Sequence, residues 1–363
     1  MKNKRFTIKK TAFAVLMGLL LSVAGVNNAF ADDQIAVLQH DGVISTFYGA
    51  NAFVEAHAAA DTGDMITLSA GNFNTCDIYK LITIHGAGAR QDTTVNDWTK
   101  TVFVTNFAFR CGGTETEHLT IEGVYFPAQV ATVNLYYAEF YRCNIPFITA
   151  PVSWYGHDVC GEMSNCKFIN CRIGTISYGY GNSISGWYWV TTSCNACFIN
   201  SIVYNTYGLG KTLDTEKNIV AYNSYIAYGE ENIQCSSFYN CVISGRSGYV
   251  PQETCTFNNC VTAKNSYEGS LLENAFNSNC MEVDTISQVF ENFTGDFDGE
   301  LFILKSEIAN SIQGTDGTEV CIYGGISPYY DRPRYMTIRR CTVGGRTTDD
   351  GHLSVDIEVV TEP

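Results

Sequence analysis

The chain has 363 residues, of which 22 are Lys or Arg and 37 are Asp or Glu, for a formal net charge of −15. That acidity argues against nucleic acid and anionic lipid headgroups as partners. With 45% hydrophobic and 13% aromatic residues the sequence has ample material for a continuous core, which excludes a disordered chain.

Residues 1–31 read as a cleavable export signal. MKNKRFTIKK is basic, TAFAVLMGLLLSVAG is apolar, and NNAFA places small residues at Ala29 and Ala31. The apolar run is short for a span and no stop-transfer charge cluster follows it, so no transmembrane segment is expected in the mature chain. The expected location is periplasmic, cell-surface or secreted. Cleavage leaves 17 basic against 37 acidic side chains, a net charge of −20.

Residues 32–84 read as an N-terminal cap with the first strands. QIAVLQHDGVISTFY predicts an opening hairpin. In GANAFVEAHAAADTGD, Phe53, Ala56 and Ala60 share one helical face, and Gly63 suits the stop. His57 falls at the edge of that face, a structural position rather than a catalytic one. MITLSAGNFN and KLITIHGAGAR then supply strands. An amphipathic helix is the expected cover for the open end of a solenoid, where core and strand edges are exposed.

Residues 85–315 carry a repeat. FINCRI at Phe168 has counterparts in FYRCNI at Phe140, FINSIV at Phe198, AYNSYI at Ala221, FYNCVI at Phe238 and FNNCVT at Phe257. Looser copies begin at Ile121 and, shifted by a residue, at Phe276. The intervals between anchors are 19, 28, 30, 23, 17, 19 and 19 residues, the near-periodicity of a solenoid. The units are rich in β-branched and aromatic residues, are punctuated by Asn, Gly and Ser, and lack helical periodicity. Short strands with tight turns, one circuit per unit, predict an all-β fold: a single-stranded parallel β-helix.

The third position of the motif is Asn170, Asn200, Asn223, Asn240 and Asn259. Asn tolerates left-handed dihedrals and can turn the chain between strands. Stacked turns would set these amides in a ladder. None has the Ser or Thr two residues on that glycosylation requires. The next position holds Cys171, Ser201, Ser224, Cys241 and Cys260, with Cys143 and the shifted Cys280 in register. Cys166 and Cys255, with Cys235 nearby, suggest a second small-residue column. C-x₄-C recurs at 166/171 and 255/260, as in a zinc site, but the pairs fall in different units, no histidine accompanies them and Ser replaces Cys freely. The expectation is no metal and mostly packed free thiols, with inter-rung disulfides as the rival.

Two intervals are long, and both follow the motif at similar places. Their surplus sequences, NIPFITAPVSWYGHDVCGE and ISYGYGNSISGWYWVTTS, should emerge on one side of the solenoid. They hold Trp154, Trp187 and Trp189, three of the four tryptophans, with Tyr155, Tyr178, Tyr180 and Tyr188. Such aromatic loops can stack on sugar C–H faces, or simply pack on each other. His157, Asp158 and Glu162 lie in the first surplus. Asp158 and Glu162 are the candidate carboxylate pair of a glycoside hydrolase. A lyase would use acidic side chains holding calcium and a basic residue such as Arg110 or Arg142.

Residues 285–320 are acidic and less repetitive, so the solenoid is expected to close there, leaving 316–363 as a C-terminal cap. DDGH at 349–352 reads as a surface turn, and GHLSVDIEVVTEP alternates from Leu353 as an edge strand, in cis or with a partner.

AFVEAHAAADTGDMITLSAGNF followed by LITIHGAGA, with CIYGGISPYYDRPRYMTIRRCTVGG at 321–345, resembles the pectin-lyase-like superfamily. The likeness is to secreted β-helix proteins of Bacteroides-type bacteria, and it spans nearly all of residues 33–363. It implies a right-handed β-helix and leaves activity open, because the superfamily includes lyases, hydrolases and non-catalytic members. The aspartate sets and Gly-His-Gly segment of polygalacturonase-like hydrolases are not matched, nor is the basic pattern of pectate lyases. The expectation is a carbohydrate-recognition, adhesion or scaffold protein with a glycan partner and no cofactor. The alternative is a polysaccharide lyase, with calcium possible, or a glycoside hydrolase.

Overall fold

The structure is a computed structural model. It describes residues 34–90, 100–149, 162–177, 181–183, 186–188, 194–204, 206–207, 219–228, 236–245, 255–264, 270–273, 275–296, 299–330, 336–347 and 353–361. It is an all-β protein with two large sheets, through which the chain passes alternately.

The first sheet runs from Val43–Tyr48 through Ile35–His40, Met65–Leu68, Thr83–His85, Thr120–Glu122, Glu139–Tyr141, Glu162–Ile169, Cys194–Ile199, Ile219–Tyr222, Ser237–Tyr239 and Thr256–Asn258 to Phe276–Ser278. The second runs from Gly71–Phe73 through Thr101–Phe103, Val124–Tyr125, Asn144–Thr149, Arg172–Ser177, Ile202–Val203, Tyr225–Tyr228, Val242–Gly245 and Val261–Ala263 to Met281–Val283. Apart from the opening hairpin, whose Ile35–His40 strand also pairs antiparallel with Met65–Leu68, neighbours in both sheets are parallel.

The anchors stack. Ile66, Ile84, Ile121, Phe140, Phe168, Phe198, Ala221, Phe238 and Phe257 form one register column, and all are buried. Phe140, Phe168 and Phe198 lie face to face at centroid separations of 4.9 and 5.3 Å, and Phe238 meets Phe257 at 5.1 Å. Ala221 interrupts the stack. In the last copy Asn277 takes the register position and Phe276 turns out, 70% exposed.

Each of the five turn asparagines has φ between 46° and 55°, and Asn279 follows at 51°. One left-handed residue suffices to bend the chain from one sheet to the other, because the second-sheet strand begins two residues later. The turn N–H still donates to the next rung, as in Asn170 to Ile199 and Asn200 to Tyr222. Arg142, with φ 50°, and Gly123, with φ 66°, hold the same place in earlier rungs.

The following column is a hydrogen-bonded seat. Ser201 Oγ donates to the carbonyls of Phe168 and Ile199, and it accepts the Cys171 N–H. Cys171 donates to Phe140 and Ile169, and Cys241 to Ala221 and Tyr239. Thiol and hydroxyl thus do the same work, which is why they interchange. Eleven cysteines, Cys171, Cys241 and Cys260 among them, carry free thiols. Burial pushes the Cys166 thiol up to about 12. In the second small column Cys166 aligns with Ala196 and then Ile219, so that column is less uniform than its sequence suggests; Cys235 lies outside the described residues.

At the N-terminal end the helix Ala52–Ala59 lies against the opening strands. Phe53, Ala56 and Ala60 are buried, and Phe53 packs 4.6 Å from Phe103. The Lys80 ammonium closes the helix by donating to the carbonyls of His57, Ala58 and Ala60. His57 is only 1% exposed, so it sits inside the boundary expected from sequence.

The C-terminal region differs most from the sequence reading. The sequence reading closes the solenoid within residues 285–320, and the last strand pair of the two large sheets ends at Met281–Val283. The chain then doubles back over the outer face of the second sheet. Phe290, Phe302, Leu304, Ile308, Ile322 and Tyr329 form a second core with Ile202, Tyr204, Tyr225, Val242 and Val261. This strap, residues 286–330, also takes up three of the turn asparagines. Asn200 donates to the carbonyls of Ile322 at 2.9 Å and Gly324 at 2.7 Å. Asn240 accepts the Thr315 N–H at 3.0 Å, and Asn259 donates to Gln313 at 2.9 Å. Asn200, Asn240 and Asn259 thus bond the strap rather than one another, because the strap presents polar groups at hydrogen-bond distance.

Beyond the strap, Met336–Thr347 and Leu353–Thr361 form a two-stranded antiparallel sheet. The tail from Leu353 therefore pairs in cis.

Candidate functional site

Two sides of the molecule are distinguished by its topology. The Asn turns lead from the first sheet to the second and are short. The return connections, from the second sheet to the first, carry both long surpluses. Within one of them Gly181–Ser183 and Gly186–Tyr188 form an antiparallel hairpin, with Trp187 opposite Asn182 and Tyr188 opposite Gly181. Glu162 opens a first-sheet strand opposite Asn134. Trp154, Tyr155, His157, Asp158, Tyr178, Tyr180 and Trp189 lie outside the described residues, as does DDGH. In chain order the sequence candidates thus fall in two successive connections from the second sheet to the first.

Among the described residues the strap packs on the second sheet and not on the outer face of the first. Residues flanking each anchor point outward here. His85, Glu122, Tyr141, Ile169, Ile199, Tyr222 and Tyr239 make one column, and Thr120, Glu139, Lys167 and Cys197 run alongside.

Charges fill the N-terminal part of this face. His85 Nδ1 stands 3.2 Å from one Glu122 oxygen, and the Arg142 guanidinium bonds the other. The His85 hydrogen bond, and next the Arg142 charge, hold the Glu122 carboxyl down at about 2 against the opposing effect of burial. Glu139 accepts hydrogen bonds from Lys167 Nζ at 2.8 Å and the Tyr141 hydroxyl at 2.5 Å, with His118 Nε2 3.8 Å away. Burial acts to raise the Glu139 carboxyl, but Lys167 and Tyr141 outweigh it and keep it below its ordinary value. Burial and then Glu139 push the Tyr141 phenol up.

This arrangement limits the chemistry. Both carboxylates are ionised at neutral pH, so neither suits a general acid, which needs a raised pKa. Tyr141 is moved away from serving as a base. Arg142 is tied to Glu122, and Arg110 donates to Asp77 at 2.7 Å, so both candidate bases are engaged by carboxylates.

Tyr222 and Tyr239 stack at 5.0 Å, inclined by 12°. Their faces cover each other and their edges turn outward, with Tyr222 40% exposed. Edges offer hydroxyls to a polar ligand more readily than faces for sugar stacking.

Sequence reasoning on the anchors missed this face. Its signal was present: in five rungs the residue after the anchor position is His85, Glu122, Tyr141, Tyr222 or Tyr239, and aligning the repeats brings them into one column.

Among the described residues no group of three or more His, Cys, Asp or Glu could hold a metal ion, and no helix is long and apolar enough to cross a membrane. No protein-family model, curated protein or solved structure matches the chain.

Proposed function

We propose that this is an exported, right-handed parallel β-helix of pectin-lyase-like type that recognises carbohydrate, serving adhesion or a scaffold rather than catalysis. The observation that carries this reading is topological. The two long connections holding Trp154, Trp187 and Trp189 both return from the second sheet to the first, and among the described residues the strap packs on the second sheet rather than the first. Binding sites form where rigid strands position such loops. The charge pattern supports recognition over turnover, since Glu122 and Glu139 are engaged by cations and hydroxyls. Neutral glycans fit an acidic surface better than polyuronates do.

The test is a glycan-array screen with and without calcium, followed by product analysis on every hit. The expected result is binding without cleavage, weakened at least tenfold by Trp154→Ala or Trp187→Ala, about 1.4 kcal/mol. New reducing ends would transfer the assignment to a hydrolase built on His157, Asp158 and Glu162; unsaturated products would transfer it to a lyase.

A further inference from the structure

The strand Val43–Tyr48 ends the first sheet. It pairs on one side with Ile35–His40, and among the described residues no strand occupies its other side. Its sequence, VISTFY, contains no charge and no proline. Natural edge strands are commonly protected against pairing by lysines, prolines, bulges or a covering element. Here Val43, Ile44 and Tyr48 are 63%, 47% and 60% exposed. A short uncharged strand of β-branched and aromatic residues, open along its backbone, is suited to pairing with another strand.

The hairpin geometry shows which backbone groups are available. Its turn has two residues, Asp41 and Gly42, with φ 46° and 79°. In such a hairpin the flanking pair, His40 and Val43, is hydrogen-bonded. By alternation Val43, Ser45 and Phe47 bond inward, and Ile44, Thr46 and Tyr48 direct N–H and C=O outward. Phe47 also packs on the core.

We propose that this edge is a dimer interface, in which Val43–Tyr48 pairs antiparallel with the same strand of a second copy about a two-fold axis through Thr46. A two-fold axis normal to a sheet requires partners of like parity, so Thr46 faces Thr46 of the second copy and Ile44 faces Tyr48. These three positions are also the ones whose backbone groups point outward, so every pair exchanges two hydrogen bonds. On the exposed face the register sets β-branched against aromatic and threonine against threonine, both favourable cross-strand pairs. No like charges oppose each other within the strand. The occupant is a second copy because the strand is complementary to itself in side chains and backbone at one register. The interface is small, so the dimer is weak and concentration-dependent.

The test is sedimentation velocity of the purified protein over a wide concentration series, with enough salt to screen its net negative charge. A reversible shift to twice the chain mass is expected. Thr46→Lys and Thr46→Glu are each expected to abolish it by opposing like charges, with unchanged circular dichroism because the site is exposed. Mixing the two variants restores the dimer. Tyr48→Lys gives a second route to the monomer should either Thr46 variant fold poorly. A protein monomeric throughout, or a dimer that persists in Thr46→Lys and Tyr48→Lys alike, overturns the proposal.

Discussion

His57 shows what one buried side chain does to the response of the molecule to acid. Burial, and next Lys80, lower its pKa to about 4, from an ordinary value of 6.5. The folded state therefore holds a neutral imidazole while the unfolded chain protonates first. The stability this contributes is fully present above pH 6.5, falls as pH drops towards 4, and is flat below. The loss is about 3 kcal/mol across that window, and His57→Phe should remove that part of the pH slope in urea titrations. Asn200 separates two other effects. Its φ of 46° costs a non-glycine residue about 1 kcal/mol, and its amide holds Ile322 and Gly324. Asn200→Gly keeps the turn but loses the bonds, at about 2 kcal/mol. Asn200→Ala loses both and should cost about 1 kcal/mol more; equal costs would mean the turn is unstrained.

At the level of elements, the strap is the part most open to a local test. A Cβ at Gly324 would stand 1.7 Å from the Glu319 carbonyl oxygen and 2.7 Å from Asn223 Nδ2. Backbone cannot yield there as a side-chain tip would, so Gly324→Ala must displace the strap. The expected signature is faster hydrogen exchange at Tyr225 and Val242 and faster thiol labelling of Cys321, with exchange at Phe168 unchanged. If protection at Tyr225 holds, the strap is not what covers the sheet. The need for such a cover is visible in sequence. Ile202–Val203, Tyr225–Ile226 and Val242–Ile243 are apolar at adjacent positions, and adjacent strand residues face opposite sides. What supplies the cover is not visible there, because residues 286–330 have no repeat of their own.

At the scale of the whole molecule the core is one column extended rung by rung. Phe168 is fully buried between Phe140 and Phe198, so Phe168→Ala removes contacts in three rungs and should cost about 3–5 kcal/mol. Because each rung leans on its neighbours, the damage should show as a lower denaturation midpoint throughout the repeat rather than at one site. A variant that unfolds locally while the other rungs keep their midpoint would argue against that coupling.

The features legible in the sequence are those that repeat. The anchors, the left-handed asparagines and the Cys/Ser seat recur at fixed offsets, and a stacked fold turns a fixed offset into a column in space. The capping helix was legible for a similar reason, since three positions of one face are enough to mark it. Tertiary structure alone decided what meets across rungs or from far along the chain. The Glu122 and Glu139 ion pairs join residues 20 and 28 positions apart. The bonds from Asn200 to the strap span 122 and 124 positions. The open edge at Val43–Tyr48 exists because the sheet begins there. Local sequence constrains the dihedrals and the faces of a strand; only packing brings distant faces into contact, and it does so through segments whose own sequence need carry no period.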